Sequence, residues 1–491
     1  MMYNYIYWKT IEIFYKEVKF VSEYISSISN EALSTLCEEL RKNNYINPEY
    51  YHRFDVKRGL RNADGTGVLA GLTRVCSVEG YYMDDGEKVP KEGRLIYRGI
   101  NMTDIVENCE KENRFGYEEV VWLLMFGALP TKEQLEKFRA VLATCRELPD
   151  DFIEDMIMKA PSPDIMNKAA RSVLALYSYD PNPDDISPEN VLRQSIQLIA
   201  QLPTIMTAAY QVKRRAYDKK SMFFHQNKKE LGTAESILRS IRPDKFFTDE
   251  EAKLLDICLI IHAEHGGGNN STFTTRCITS SGTDTYSAIA AGIGSLKGPR
   301  HGGANIAVHK MVEDIKSHVN DITDEGQVAD YLTKIMNKQA GDGTGLIYGM
   351  GHAVYTLSDP RAVILRRYAD KFSKEQGRED EFRLLNLIES LTPELFAKLR
   401  GNNKKICANV DLYSGLVYDM LGIPKELFTP LFMVARSAGW AAHRIEELTT
   451  GGRIIRPAYK NATIPRAYVP MSERILRTDG IQKEYIPIEE R

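Results

Sequence analysis

At 491 residues, with 43% hydrophobic and 27% charged side chains, the chain has room for two or three average domains and the composition of a globular protein with a sizeable core. A formal net charge of −3 leaves no overall electrostatic case for nucleic acid or an anionic membrane as partner. Seven scattered cysteines without a Cys-x-x-Cys pair favour reduced thiols in a cytoplasmic enzyme over a disulfide framework or a zinc site.

The N-terminal stretch from Met1 to Thr10 is aromatic and apolar, but Lys9, Glu12, Lys16, Glu17 and Lys19 interrupt it. It is therefore read as an amphipathic helix packing on its own body or on a partner subunit, not as a signal peptide. Residues 1–55 carry no motif and form an N-terminal extension of unassigned role. Gly71 to Tyr82 and Arg94 to Arg98 alternate as strands do, separated by the turn-like Met83-Asp-Asp-Gly-Glu87. Thr131, with Gln134 three residues on, makes a capping box for a helix that follows Pro130. Pro161-Ser-Pro163 and Asp180-Pro-Asn-Pro-Asp-Asp185 punctuate loops, and Ser187-Pro188 starts the next helix with proline in its first turn. Ser240 to Glu251 reads as a turn-rich connection. Thr392-Pro393 repeats the helix-start device, and Gly422-Ile-Pro-Lys-Glu-Leu427 opens a long apolar helix that carries Arg436 and His443. There is no internal repeat or linker, and no run reaches the ~20 apolar residues of a membrane span. The expected fold class is mainly α with a minor β element near residues 70–100.

Three segments stand apart chemically: Leu296-Lys-Gly-Pro-Arg-His-Gly-Gly-Ala-Asn305, Gly349-Met-Gly-His-Ala-Val-Tyr355 and Asn409-Val-Asp-Leu-Tyr-Ser-Gly415. With nine histidines in the chain, His301 and His352 each lie among glycines, which permit tight turns and close approach of a ligand. Two imidazoles and a carboxylate, Asp411, suffice to remove a carbon-bound proton and stabilise the enolate. Asp411 alone would equally well cap a helix. His262-Ala-Glu-His265 puts two imidazoles on one helix face, yet no Cys or Asp cluster nearby completes a ligand set, so no metal is expected.

These segments, with Asp359-Pro-Arg361, His262-Ala-Glu-His265, Ala435-Arg-Ser-Ala-Gly-Trp440, Arg456-Pro457 and Leu95-Ile-Tyr-Arg-Gly-Ile100, resemble the citrate synthase family in the right order from about residue 65 onward. The resemblance implies a two-domain helical fold: a large domain of residues 56–304 plus 426–491, interrupted by a small helical domain of residues 305–425. It implies condensation of acetyl-CoA with oxaloacetate and hydrolysis to citrate and coenzyme A, the entry to the tricarboxylic acid cycle. Asp411 would then be the base, His301 the donor to the thioester oxygen, and His352 the donor to the ketone oxygen. His265, Arg361, Arg436 and Arg456 would hold oxaloacetate, whose two carboxylates suit the guanidinium fork. The loop at Leu346, Gly349 and Gly351 would take the coenzyme, a substrate and not a resident cofactor. The resemblance further implies a homodimer, with Arg456 reaching the partner's site. Alternatives are a 2-methylcitrate synthase using propionyl-CoA and a non-catalytic binding protein on the same fold. Partners from the nucleic-acid or membrane classes are not expected.

Overall fold

The computed structural model describes residues 29–473 except 44–45, 63, 86, 402–404, 464–467 and 469. The expected N-terminal amphipathic segment lies outside the described residues. The chain divides into two compact units, residues 1–68 with 457–491 and residues 69–456.

In the first unit, α1 (Asn30–Asn43) and α2 (Glu49–Arg53) precede a short bridge between Arg61 and Gly67. Lys460 lies over the Phe54 ring at 5.3 Å.

The second unit opens with an antiparallel hairpin, β1 (Cys76–Asp84) and β2 (Glu87–Tyr97), extended by the two-residue β3 (Ile100–Asn101). The β element is where the alternation put it, but β2 starts seven residues before Arg94, with Glu87 opposite Asp84. Helices follow: α3 (Met102–Lys111), α4 (Tyr117–Phe126), α5 (Lys132–Cys145), α6 (Ile165–Leu176), α7 (Pro188–Ala216), α8 (Thr233–Ile241), α9 (Asp249–His262), α10 (Asn270–Thr279) and α11 (Thr285–Lys297). The Thr131–Gln134 capping box is present, and Ser187 caps α7 with Pro188 in its first turn. The connection from 240 to 251 is shorter than expected, because Thr248 and Glu251 make a capping box that already starts α9 at Asp249.

Then come α12 (Ala304–His318), α13 (Glu325–Met336), α14 (Pro360–Gln376), α15 (Glu379–Arg400) and α16 (Val410–Met420). These pack on one another: α14 against α15 and α16, α12 against α16, and α13 against α15. The helix start expected at Thr392-Pro393 is absent; Pro393 lies inside α15. The apolar face continues through it, from buried Leu384, Leu385 and Ile388 to Leu391 and Leu395, and Thr392 Oγ1 donates to the Ile388 carbonyl at 2.6 Å. Burial of that face outweighs the loss of the one backbone donor that proline removes.

The long apolar helix expected after Gly422 is α17 (Phe428–Thr449), which is buried on every face from Phe428 to Arg444. A helix apolar all round belongs in the centre of a core. Helices α4, α7, α9, α10 and α11 surround it, so whatever α17 carries in its middle is fixed from all sides. Among the described residues no helix is long and apolar enough to cross a membrane.

Candidate active site

The site grows from the ends of helices. α9 stops at His262, whose Nδ1 lies 2.8 Å from the Cys258 carbonyl and so carries the proton. The turn after it holds Glu264 and His265, with Gly266 at φ +84°. A Cβ on Gly266 would come within 3.0 Å of Val78. The His265 ring stands edge-on to His352, centroids 5.1 Å apart. Its Nε2 is buried and finds no protein hydrogen-bond partner. Burial and then the nearby Arg361, His352 and Arg436 hold its pKa well below the usual imidazole value, so it is neutral.

His301 sits in the turn after α11. Gly302 folds back to donate to the Leu296 carbonyl at 3.0 Å, and a Cβ there would meet Leu296 at 2.7 Å. The His301 Nε2 accepts from the backbone N–H of Ser271, in the first turn of α10, at 3.3 Å and lies 2.9 Å from Ser271 Oγ. A backbone N–H can only donate, so Nε2 is bare and Nδ1 bears the proton. Burial, then Arg436, lowers its pKa to about 4.

His352 has the opposite tautomer. Its Nδ1 accepts from the N–H groups of Val354 and Tyr355, each at 3.1 Å, which leaves the proton on Nε2. Its ring stacks on Tyr355 with centroids 4.6 Å apart. The two imidazoles are thus both donors, through different nitrogens.

Asp411 lies in the first turn of α16. Its N–H donates to the N-cap residue Asn409 at 3.0 Å. The same Asn409 donates twice to the histidine loop, its N–H to Gly349 O at 2.9 Å and its Nδ2 to Gly351 O at 2.9 Å. Gly351 N–H closes the tie onto Cys407 O at 2.8 Å. Gly349 and Gly351 have φ +83° and +88°, and a Cβ on Gly349 would stand 3.0 Å from Leu412. Leu346, by contrast, is exposed. Burial raises the Asp411 carboxyl to about 7, with Arg361 opposing the rise. A carboxyl poised there can take a proton near neutral pH.

Two guanidiniums complete the cluster. Arg361 folds back on Asp359, the N-cap of α14, with Nε–Oδ1 3.0 Å and Nη2–Oδ2 2.7 Å. Arg436, in the middle of α17, is 1% exposed, donates through Nε to His262 O at 2.8 Å, and lies 4.7 Å over the Phe432 ring. Its Nη2 is buried without a hydrogen-bond partner. A buried donor such as this Nη2 suits an anionic ligand with several acceptor oxygens, and His265 Nε2 is likewise buried without a partner.

Six of the anticipated residues, His265, His301, His352, Arg361, Asp411 and Arg436, therefore come together. Arg456 does not join them within one chain. It is exposed, and its neighbour Ile455 donates to Ser280 Oγ at 2.9 Å, just past the far end of α10 from Ser271. That is about 13 Å away along the helix. Among the described residues no group of three or more metal-ligating side chains occurs. Sequence inspection missed Ser271, Asn409 and Glu264 as parts of the site; for the first two, the signal is their place at helix starts, soon after His265 and just before Asp411.

A model of the citrate synthase family, its C-terminal domain, matches residues 62–458. A citrate synthase from Synechocystis is 35% identical over 84% of this chain and 93% of its own length. A 2-methylcitrate synthase from Corynebacterium glutamicum is 33% identical over 85% of this chain and 98% of its own. The ternary complex of citrate synthase from Thermoplasma acidophilum with carboxymethyl coenzyme A and oxaloacetate superposes with a TM-score of 0.69 at 25% identity, covering 85% of this chain and 99% of that one. With a family match of that span and relatives aligned almost end to end, the chain belongs to the citrate synthase family and is an enzyme of its acyl-transferring kind.

Proposed function

We propose that the enzyme condenses acetyl-CoA with oxaloacetate and hydrolyses the resulting thioester to citrate and coenzyme A. The observation that carries this is the convergence of a carboxyl poised near neutrality, Asp411, with two neutral imidazoles that donate through different nitrogens. Asp411 takes a proton from the thioester methyl while His301 Nδ1–H stabilises the forming enolate oxygen. The enolate carbon attacks the oxaloacetate ketone, and His352 Nε2–H supports the oxygen that becomes the hydroxyl. Arg361, Arg436 and His265 hold the dicarboxylate. Water then cleaves the thioester. Losing one such donor costs roughly 2.7–4 kcal/mol of barrier stabilisation. The loop at Leu346, Gly349 and Gly351 supplies backbone groups to the coenzyme.

Residues 305–425 form the small domain, which carries His352, Arg361 and Asp411, and closes on the large domain of residues 56–304 plus 426–491. Arg456 acts in the partner's site of a homodimer; its exposure, with that of Ile454 and Tyr459 nearby, supports this. Unpaired cysteines support a reducing, cytoplasmic setting. The 2-methylcitrate reading is kept because a relative of that name aligns about as well, and one methylene is worth only ~1–3 kcal/mol of discrimination. Thiol release with acetyl-CoA and propionyl-CoA, each with oxaloacetate, separates the two; no thiol from either overturns both. Mixing Arg456→Ala with Asp411→Asn subunits tests the dimer, since activity should partly return in mixed dimers.

A further inference from the structure

Glu264 precedes the substrate-binding candidate His265 in the turn after α9 and has no accessible surface. A carboxylate beside a site for a dianion opposes binding, so its presence needs a reason. The fold makes room for it deliberately: a Cβ on Gly439 would stand 2.0 Å from Glu264 Oε2 and 2.6 Å from Ala263 O. Gly439 and Arg436 are three residues apart on α17 and so share a face. Glu264 Oε1 accepts the His265 N–H at 2.8 Å. His443 Nε2 lies 3.3 Å from the same oxygen. The Nδ1 of His443 is 2.9 Å from Arg276 Nη1, which can only donate, so Nε2 bears the proton; it stands near Glu264 without hydrogen-bond geometry. Arg276 is in turn held by Glu446 and Glu447, each at 2.8 Å.

The two guanidiniums of the site are compensated differently. Asp359 engages Arg361 through two hydrogen bonds. Arg436 Nη2 and Glu264 Oε2 are both buried, and neither has a hydrogen-bond partner. Glu264 opposes the effect of burial on Arg436 more than any other group does, and Arg436 helps keep Glu264 ionised.

We infer that Glu264 is the resident counter-ion of Arg436, offsetting its buried charge in the empty site without occupying the donors that the substrate uses. Substrate carboxylate and Glu264 then compete for one guanidinium, and Glu264 sets how tightly the dicarboxylate binds. His443 and Arg276 are positioning residues that hold the carboxylate in place. The inference rests on the proposed role of Arg436 in holding oxaloacetate.

Glu264→Gln in the full-length enzyme is the test. Without its counter-ion Arg436 is uncompensated until substrate arrives, so the empty protein should melt lower. Oxaloacetate should bind about fivefold or more tightly by calorimetry, within the usual range of coupling between two sites, and saturating oxaloacetate should close the melting gap. A carboxylate with only a packing role would give weaker binding on removal. Unchanged or weaker oxaloacetate binding overturns the inference. If the Gln variant does not fold, Glu264→Asp decides, since it draws the charge back by one methylene. Tighter binding than the parent supports the inference, and equal or weaker binding overturns it. Arg436→Gln separates this from the underlying assignment. If that variant binds oxaloacetate as the parent does, Arg436 is not a substrate contact and the site reading fails. If it loses binding while Glu264→Gln gains none, only the counter-ion role fails.

Discussion

Replacing Asp411 by Asn should cost activity and add stability, in amounts linked by a single property of the site. Burial lifts the carboxyl to about 7, against ~3.9 in an unfolded chain. The sign follows from linkage: a group raised on folding imposes no penalty below about pH 4, and the penalty grows until the folded group has ionised. From those two values the ionised carboxylate costs about 1.5 kcal/mol at pH 5 and about 4 kcal/mol at pH 8. These are upper values, because Asp411 keeps some accessible surface and solvent screens it. Asn carries no charge at either pH and keeps the backbone donor to Asn409. The variant should therefore outlast the parent under heat or urea, by a margin that widens by roughly 2.5 kcal/mol between pH 5 and pH 8. Turnover should fall about 10²–10⁴-fold, as expected for loss of a positioned base, with oxaloacetate affinity nearly unchanged. In the parent, kcat/KM should rise with pH through about 7. Unfolding curves across pH, with thiol release at each, supply the data. A stability margin that is absent or the same at every pH would show that the carboxyl is not desolvated. Near-normal turnover would show that the proton goes elsewhere.

Asp256, 2% exposed, accepts the Gly116 N–H at 2.7 Å and is pushed upward by burial and then by Glu118. Parent stability should thus fall as pH rises from 6 to 9, and Asp256→Asn should flatten that decline in thermal melts; parallel curves would exclude the pair as the cause. Gly439→Ala forces a methyl into Glu264 and should destabilise by about 1–3 kcal/mol as an overpacked core, read as a lower urea midpoint. Gly349→Ala sets a side chain at φ +83° against Leu412, so the base next to it should shift. We expect kcat to drop by up to about 10²-fold in steady-state assays, with a smaller change in oxaloacetate KM.

Local signals read well wherever one residue decides the outcome. The capping box of Thr131 and the Ser187-Pro188 start depend on nearest neighbours, and both stand in the structure. Thr392-Pro393 carries the same signal and fails, because the buried face of α15 runs from Leu384 to Leu395 and no dipeptide records how that face is covered. In the site, His301 and His352 are conspicuous by their glycines. Which nitrogen of each carries the proton depends on Ser271, thirty positions from His301, and on the folded-back N–H groups of Val354 and Tyr355. The burial of Glu264 against α17 was invisible because it meets Gly439, 175 positions away, a residue that reads as an ordinary helix glycine.

The ties from Asn409 to Gly349 and Gly351 make Asp411 and His352, the proposed base and ketone donor, a single mechanical part. Any displacement of that part carries Asp411 and His352 together and changes only its offset from His301 and Arg436. Alignment of the reacting groups is then reduced from many independent coordinates to one approach. Exchanges on the exposed face of α13 can accumulate without detuning the chemistry, provided that this one clasp is kept, whereas α15 is itself tied to α16 by the Tyr413 hydroxyl, which donates to Asn386 Oδ1 at 2.9 Å.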